Sequence, residues 1–262
     1  MTSRFILGFG LVVLGTALPT TSPATNLFAR SLNPQCAPGG NFNLGVWSLQ
    51  LPVGSTGKPT TISPGGLEGC SGYTNSKYFY TDTSDGTMVM YVPGGPSTGC
   101  VTTPNSEHCR TELREMTSSG SAASWDPNAS TNRLSATLLA TDVDNGSHGT
   151  VIGQIHIDDS VSTKPVCELY YNKSGDVVMG VEKTRAGGSS VFTPVGNVAV
   201  GTKFSYEIRY EKNVLSVGIN GGSQKTLSTN SLDAPASYFK AGNYNQGSDP
   251  STVHFYSVSV QH

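Results

Sequence analysis

The sequence predicts an all-β domain, a two-sheet β-sandwich of the jelly-roll kind. Three observations lead there. Charged residues make up only 13% of the 262, about half the share usual in soluble domains. Ser and Thr fill the polar positions instead, whereas exposed helix faces draw on Lys, Glu and Arg. Gly (31) and Pro (15) are abundant, which favours many short strands and turns. Finally, short runs with period-2 alternation, or enriched in β-branched and aromatic residues, recur along the chain, with no convincing amphipathic helix between them.

The chain opens on the pattern of a secretory leader. Arg4 supplies a positive start, Phe5 to Leu18 is an uncharged apolar run, and Pro19 begins a polar boundary. The run falls short of the roughly 20 residues that span a bilayer. Residues 1–24 are therefore expected to be a cleaved signal, with the cut after Ala24 or a later trimming after Arg30. The mature protein is expected to be a soluble, secreted, extracellular monomer with no membrane segment, and residues 31–262 a single domain.

Strands are expected at Val46–Leu51, Tyr78–Thr81, Thr87–Val92, Leu134–Thr141, Val151–Ile157, Val166–Tyr171, Val177–Lys183, Phe204–Tyr210, Val214–Asn220 and Val253–Val260. Turn signals stand between them at Asp85-Gly86, Asn145-Gly146, Ser174-Gly175 and Asn220-Gly221. A sandwich with one curved sheet has a concave outer face, which suits an extended ligand.

Secretion makes disulfides the expected state of most of the five cysteines. Cys100 and Cys109 bracket a short Pro-containing loop and form the first expected pair; Cys36 with Cys70 is the second. Cys167, in an apolar strand, is left over as a buried thiol. No CxxC pair occurs, so no zinc site is expected. Asn128, Asn145 and Asn172 each open an N-x-S/T sequon. The segment Asp142-Val143-Asp144-Asn145-Gly146 has the beginnings of a calcium loop but lacks the later bidentate Glu; a hairpin turn explains it better. Neither metal nor cofactor is expected. A net charge of −2 and a pI near 6.2 argue against a broad grip on nucleic acid. A polyanion could still be held by a local cluster of cations.

Three segments carry chemistry on one face. Alternate residues of a strand share a face. In His108–Glu115, Arg110, Glu112 and Arg114 point one way, and Thr111 and Leu113 the other. In Gly153–Ile157, Gln154 and His156 share a face, with Val151, Ile155 and Ile157 behind. In Tyr238–Gln246, Tyr238, Lys240, Gly242, Tyr244 and Gln246 share one parity, and Gly242 would clear space between Lys240 and Tyr244. Each segment taken alone could be a solvated ion-pair ladder, a structural histidine or a surface Tyr/Lys strand.

As a set, RTELR (110–114), QIH (154–156) and YFKAGNYNQ (238–246) resemble the signature of polysaccharide lyase family 7, the alginate lyases: R-(S/T)-E-(L/V)-R, Q-(I/V)-H and Y-F-K-A-G-x-Y-N-Q, in that order. The resemblance covers about residues 36–262. Asn243 stands where the family often has Val or Ile, at a parity facing away from substrate. The resemblance implies a concanavalin/lectin-like jelly roll with a concave substrate-binding sheet. It also implies β-elimination of a 4-linked polyuronate, leaving a C4=C5 double bond at the new non-reducing end. Arg110 and Gln154 would neutralise the substrate carboxylate, with His156 contributing. Tyr244 would carry a proton to O4 and, for some substrates, act as base, helped to ionise by Arg110 or Lys240. Glu112 would orient Arg110 or Arg114, and Arg114, Lys240 and Gln246 would support the site or line subsites. Three alternatives are weighed against this: another polyuronate such as glucuronan, a sugar-binding module, and a glycoside hydrolase. The module has no use for a base beside a carboxylate clamp. The hydrolase normally needs two carboxylates across the bond, where only Glu112 can be nominated.

Overall fold

The computed structural model describes residues 1–2 and 31–262. The expected leader thus lies almost wholly outside the described residues. Ser31–His262 forms two antiparallel sheets. One has eight strands in the order β10 (Val191–Asn197), β9 (Asp176–Val181), β8 (Pro165–Tyr171), β7 (Thr150–Ile157), β14 (Ser237–Tyr244), β5 (Arg110–Glu115), β1 (Trp47–Ser55), β2 (Lys58–Ile62). The other has seven: β13 (Lys225–Leu227), β12 (Val214–Ile219), β11 (Phe204–Glu211), β6 (Arg133–Asp142), β15 (Ser251–Gln261), β4 (Met88–Val92), β3 (Phe79–Thr81). The described helices are single turns: α1 (Pro38–Asn41), α2 (Pro64–Leu67) and a 3-10 turn at Pro96–Thr98.

Alternation decides which face each strand buries. In β6, Leu134, Ala136, Leu138 and Ala140 are buried, while Ser135 and Thr137 between them are half-exposed. In β11, Phe204, Tyr206, Ile208 and Tyr210 face inward, and the register sets Leu138 against Phe204 and Leu134 against Ile208. From the other sheet, Trp47, Leu49, Leu113, Ile155 and Phe239 fill the same core. Burying each such side chain contributes about 1.5–3 kcal/mol relative to exposure. The result is the expected jelly-roll sandwich.

All ten expected strands are present. So are β5 and β14, read as strands from their alternating chemistry; the remaining three, β2, β10 and β13, were not anticipated. Each is an edge strand with few buried residues, so none carries the alternation that marks a half-buried strand. Pro59 and Pro194 sit in two of them, where a missing N–H costs no internal ladder bond.

One expected turn is corrected. Asn145-Gly146 does not close a hairpin, because β6 and β7 belong to different sheets. The segment is a corner between them. Buried Asp144 organises it, accepting hydrogen bonds from the Gly146 N–H (2.8 Å), the Thr150 hydroxyl (2.6 Å) and the Gln246 N–H (2.8 Å). The other three turn signals lie between paired neighbours, and Asn220 (φ 53°) and Gly221 (φ 67°) adopt the left-handed pair of a tight turn that the Gly222 N–H closes on the Ile219 carbonyl at 2.9 Å.

Both expected disulfides, Cys36–Cys70 and Cys100–Cys109, are formed. Cys167 is a buried free thiol whose pKa burial pushes up to about 12. It is therefore inert as a nucleophile.

Candidate active site

The three chemistry-bearing strands, far apart in sequence, lie side by side as β7, β14 and β5 at the centre of the eight-stranded sheet. Pairing sets Tyr244 beside Arg110, Gly242 beside Glu112, and Lys240 between Arg114 and Gln154; His156 faces Tyr238. Their outward side chains floor a cleft of about 450 Å³. These strands are nearly continuously buried, since one face meets the core and the other the crowded cleft floor. Asn243 confirms the parity. It is fully buried on the core side, its amide donating to the Met90 and Ser251 carbonyls at 2.9 and 2.8 Å. Gly242 has a sharper reason than making room in the cleft. A Cβ there would stand 2.6 Å from the Thr111 carbonyl oxygen and 2.7 Å from the Glu112 Cα, so a side chain would push β14 off β5.

Glu112 is the hub. Buried in the floor, it accepts from Arg110 Nη1 (3.0 Å) through one carboxylate oxygen and from Gln154 Nε2 (2.5 Å) through the other, with Lys240 Nζ at 3.6 Å. It therefore orients Arg110 and Gln154. Arg114 is held elsewhere, by Asp159 at 3.1 Å and by stacking its guanidinium 4.2 Å over the Tyr238 ring. Arg110 lies 3.6 Å over the Tyr244 ring and donates through Nη2 to the Ser106 hydroxyl at 3.0 Å. Its Nε is buried without a partner among the described residues. Burial works against the charge on Arg110, but Glu112 and Tyr244 outweigh it and hold the guanidinium protonated.

Tyr244 and His156 differ in their protonation. The Tyr244 hydroxyl lies 3.1 Å from that of Ser106. Burial raises its pKa, and Arg110 pulls it down without cancelling the rise. The expectation that cations ionise Tyr244 is thus met only in part: the phenol rests as a proton donor. His156 Nδ1 lies 2.7 Å from the Ile157 carbonyl oxygen, which can only accept, so Nδ1 carries the proton and Nε2 keeps its lone pair. Burial, then Lys240, lowers the His156 pKa to about 3, so the imidazole is a neutral base across the working range. Burial also lowers Lys240 to about 8.

His156 has a consequence for stability. Its folded pKa lies below the ordinary 6.5, so the unfolded chain takes up a proton first as pH falls. Its favourable contribution is present above about pH 6.5 and drains away toward pH 3. Each unit of pH in that window costs up to about 1.4 kcal/mol. His156→Asn removes this dependence. Urea unfolding of both proteins between pH 7 and pH 4 should show wild-type stability falling more steeply than that of the variant.

Of the expected site residues, Arg110, Glu112, Arg114, Gln154, His156, Lys240 and Tyr244 converge on the cleft. Gln246 does not. It lies beyond the end of β14, tied by its N–H to Asp144. The sequence did not single out Ser106, Asp159 or Glu168, which also line the cleft. Ser106 rides the loop that Cys100–Cys109 closes, and Asp159 lies in the turn after β7. Glu168 could have been found, because it is the one acid in an apolar strand and alternates with core-facing Cys167 and Leu169. Among the described residues no group of three or more His, Cys, Asp or Glu is arranged to hold a metal ion.

A family model described as Alginate lyase matches residues 42–262. An alginate lyase of Klebsiella pneumoniae is 29% identical over 269 residues, covering 80% of this chain and 84% of that protein. Among solved structures, alginate lyase A1-II', a member of polysaccharide lyase family 7, is 32% identical with a TM-score of 0.73, covering 86% of this chain and 98% of that one. Alginate lyase PA1167 from Pseudomonas aeruginosa is 30% identical with a TM-score of 0.71, covering 84% and 99%. With the match spanning nearly all of the described sandwich, the chain belongs to the alginate lyase family and is a polysaccharide lyase.

Proposed function

We propose that the cleft binds alginate and cleaves it by β-elimination, with Arg110 and Gln154 neutralising the uronate carboxylate, His156 and Tyr244 moving protons, and Glu112 positioning the first two. The C5 proton lies α to a carboxylate and is barely acidic, so the carboxylate charge must be offset before an enolate-like intermediate can form. A base then takes the proton, and an acid protonates the departing O4. The observation that carries the proposal is the coexistence, on one floor, of a neutral imidazole with a free Nε2, a protonated phenol and a buried guanidinium fixed by Glu112. A sugar-binding module needs none of these. A glycosidase would need two carboxylates free to flank the bond, whereas Glu112 is bound by Arg110 and Gln154, Asp159 by Arg114, and Glu168 by the Tyr170 hydroxyl.

The direct test is separate incubation with polymannuronate, polyguluronate and glucuronan, following absorbance of the new C4=C5 double bond. A rise on either alginate block supports the assignment; a rise on glucuronan alone transfers it to another polyuronate. Because side chains supply the neutralising charge, activity is expected to survive exhaustive chelation. Loss on chelation, with recovery on adding a divalent cation, would contradict that. Two disulfides suit an oxidising compartment, and among the described residues no helix is long and apolar enough to cross a membrane. With the leader pattern, these support an enzyme acting outside the cell.

A further inference from the structure

We propose that the substrate row of the eight-stranded sheet continues past the cleft to an aromatic platform, Phe192 stacked on His148, which takes the apolar face of a uronate ring farther along the same chain. This rests on the cleft being the site of alginate cleavage. Strand register gives the direction. Arg114, Lys240, Gln154, Glu168, Gly180 and Phe192 stand opposite one another in a single cross-strand line through β5, β14, β7, β8, β9 and β10. Registered neighbours share a face, so Phe192 presents itself on the cleft side of the sheet, three strand spacings (about 14 Å) from Gln154. That is farther than one pyranose ring reaches.

The platform is built rather than incidental. Gly180 is the vacancy beneath it: a Cβ there would stand 2.9 Å from the Phe192 ring and 3.1 Å from the Tyr170 ring. Phe192 therefore lies down on β9. His148 stacks on it at 3.8 Å between centroids with 22° between planes, and Tyr170 meets it edge-on at 5.6 Å. Tyr170 links back to the site, because it packs with Val151 and Val178 against Tyr244. Despite this support Phe192 remains 40% exposed on an edge strand, where an apolar ring invites unwanted pairing. A pyranose carries C–H groups on its faces and hydroxyl and carboxylate groups at its rim. The Phe192–His148 stack matches that pattern, its open aromatic surface meeting the C–H groups and the imidazole N–H reaching the carboxylate at the rim.

The test uses the full chain and uronate oligomers of graded length. Phe192→Ala should raise KM for long oligomers about five- to tenfold, in line with the loss of one aromatic contact, with kcat unchanged. A trimer too short to reach β10 should be cleaved as by wild type, and Phe192→Trp should restore the wild-type KM. Equal loss on short and long oligomers, no loss on long ones, or a concentration-dependent dimer that Phe192→Ala abolishes would overturn the platform. A wild type inactive on every oligouronate would overturn the catalytic assignment, and the platform with it.

Discussion

Tyr244→Phe is expected to abolish turnover on every substrate the enzyme accepts, whereas His156→Asn should spare mannuronate cleavage more than guluronate cleavage. The argument is stereochemical. Mannuronate and guluronate differ only at C5. In mannuronate the C5 proton and O4 lie on the same side of the ring, so one group can take the proton and deliver one to O4. In guluronate they lie on opposite sides, and two groups are required. Tyr244 rests protonated, as an acid at O4 must, and lies beside the Ser106 hydroxyl and beneath Arg110. For guluronate Tyr244 would give this proton directly to O4; for mannuronate it would first pass it out through the Ser106 hydroxyl, with Arg110 stabilising the phenolate, and then take the C5 proton and deliver it to O4. His156, with a pKa near 3 and Nε2 unprotonated, would serve as the base for the opposite face. A general base contributes about 10²–10⁴-fold, so kcat for each variant on each homopolymer should separate the roles clearly. Substantial turnover by Tyr244→Phe would remove Tyr244 from the chemistry. Equal losses on both polymers for His156→Asn would reduce His156 to a binding residue.

Arg110→Ala should cost about 10²–10³ in rate, the usual loss when a group stabilising developing negative charge is removed; Arg114→Ala should cost far less. The two guanidiniums sit on one strand with one parity, yet the fold treats them differently. Arg110 is buried, gripped by Glu112 and stacked on Tyr244, the proposed proton carrier. Arg114 is partly exposed and pairs with Asp159, itself more than half exposed at 52%. Breaking the Arg110–Glu112 pair also leaves a buried carboxylate short of a partner, which typically costs about 3–5 kcal/mol of stability. Thermal unfolding should therefore accompany the kinetics. Arg110→Lys keeps the positive charge but loses the planar fork, and recovery of stability without recovery of rate would assign the catalytic loss to the fork. Equal activity of Arg110→Ala and Arg114→Ala would defeat the assignment of the carboxylate clamp.

The sequence by itself determined the strands that bury a full face, the parity of the chemistry-bearing side chains on β5 and β14, and seven of the residues that meet in the cleft. Parity is a local property with a period of two, so Arg110, Glu112 and Arg114 could be set against Thr111 and Leu113 before any partner strand was known. The edge strands β2, β10 and β13 were illegible because a strand with little to bury has no alternation to read. Only the tertiary structure decided which strands are neighbours, since register is chosen by contacts between distant segments. That choice brought Gln154 and Arg110 onto the same carboxylate and gave Arg114 to Asp159 rather than to Glu112. It also turned Asn145-Gly146 into a corner between sheets and left Gln246 beyond the cleft. Protonation was likewise decided in three dimensions. A histidine and a tyrosine carry ordinary pKa values in sequence, and burial between β5, β7 and β14 keeps the imidazole neutral and the resting phenol protonated.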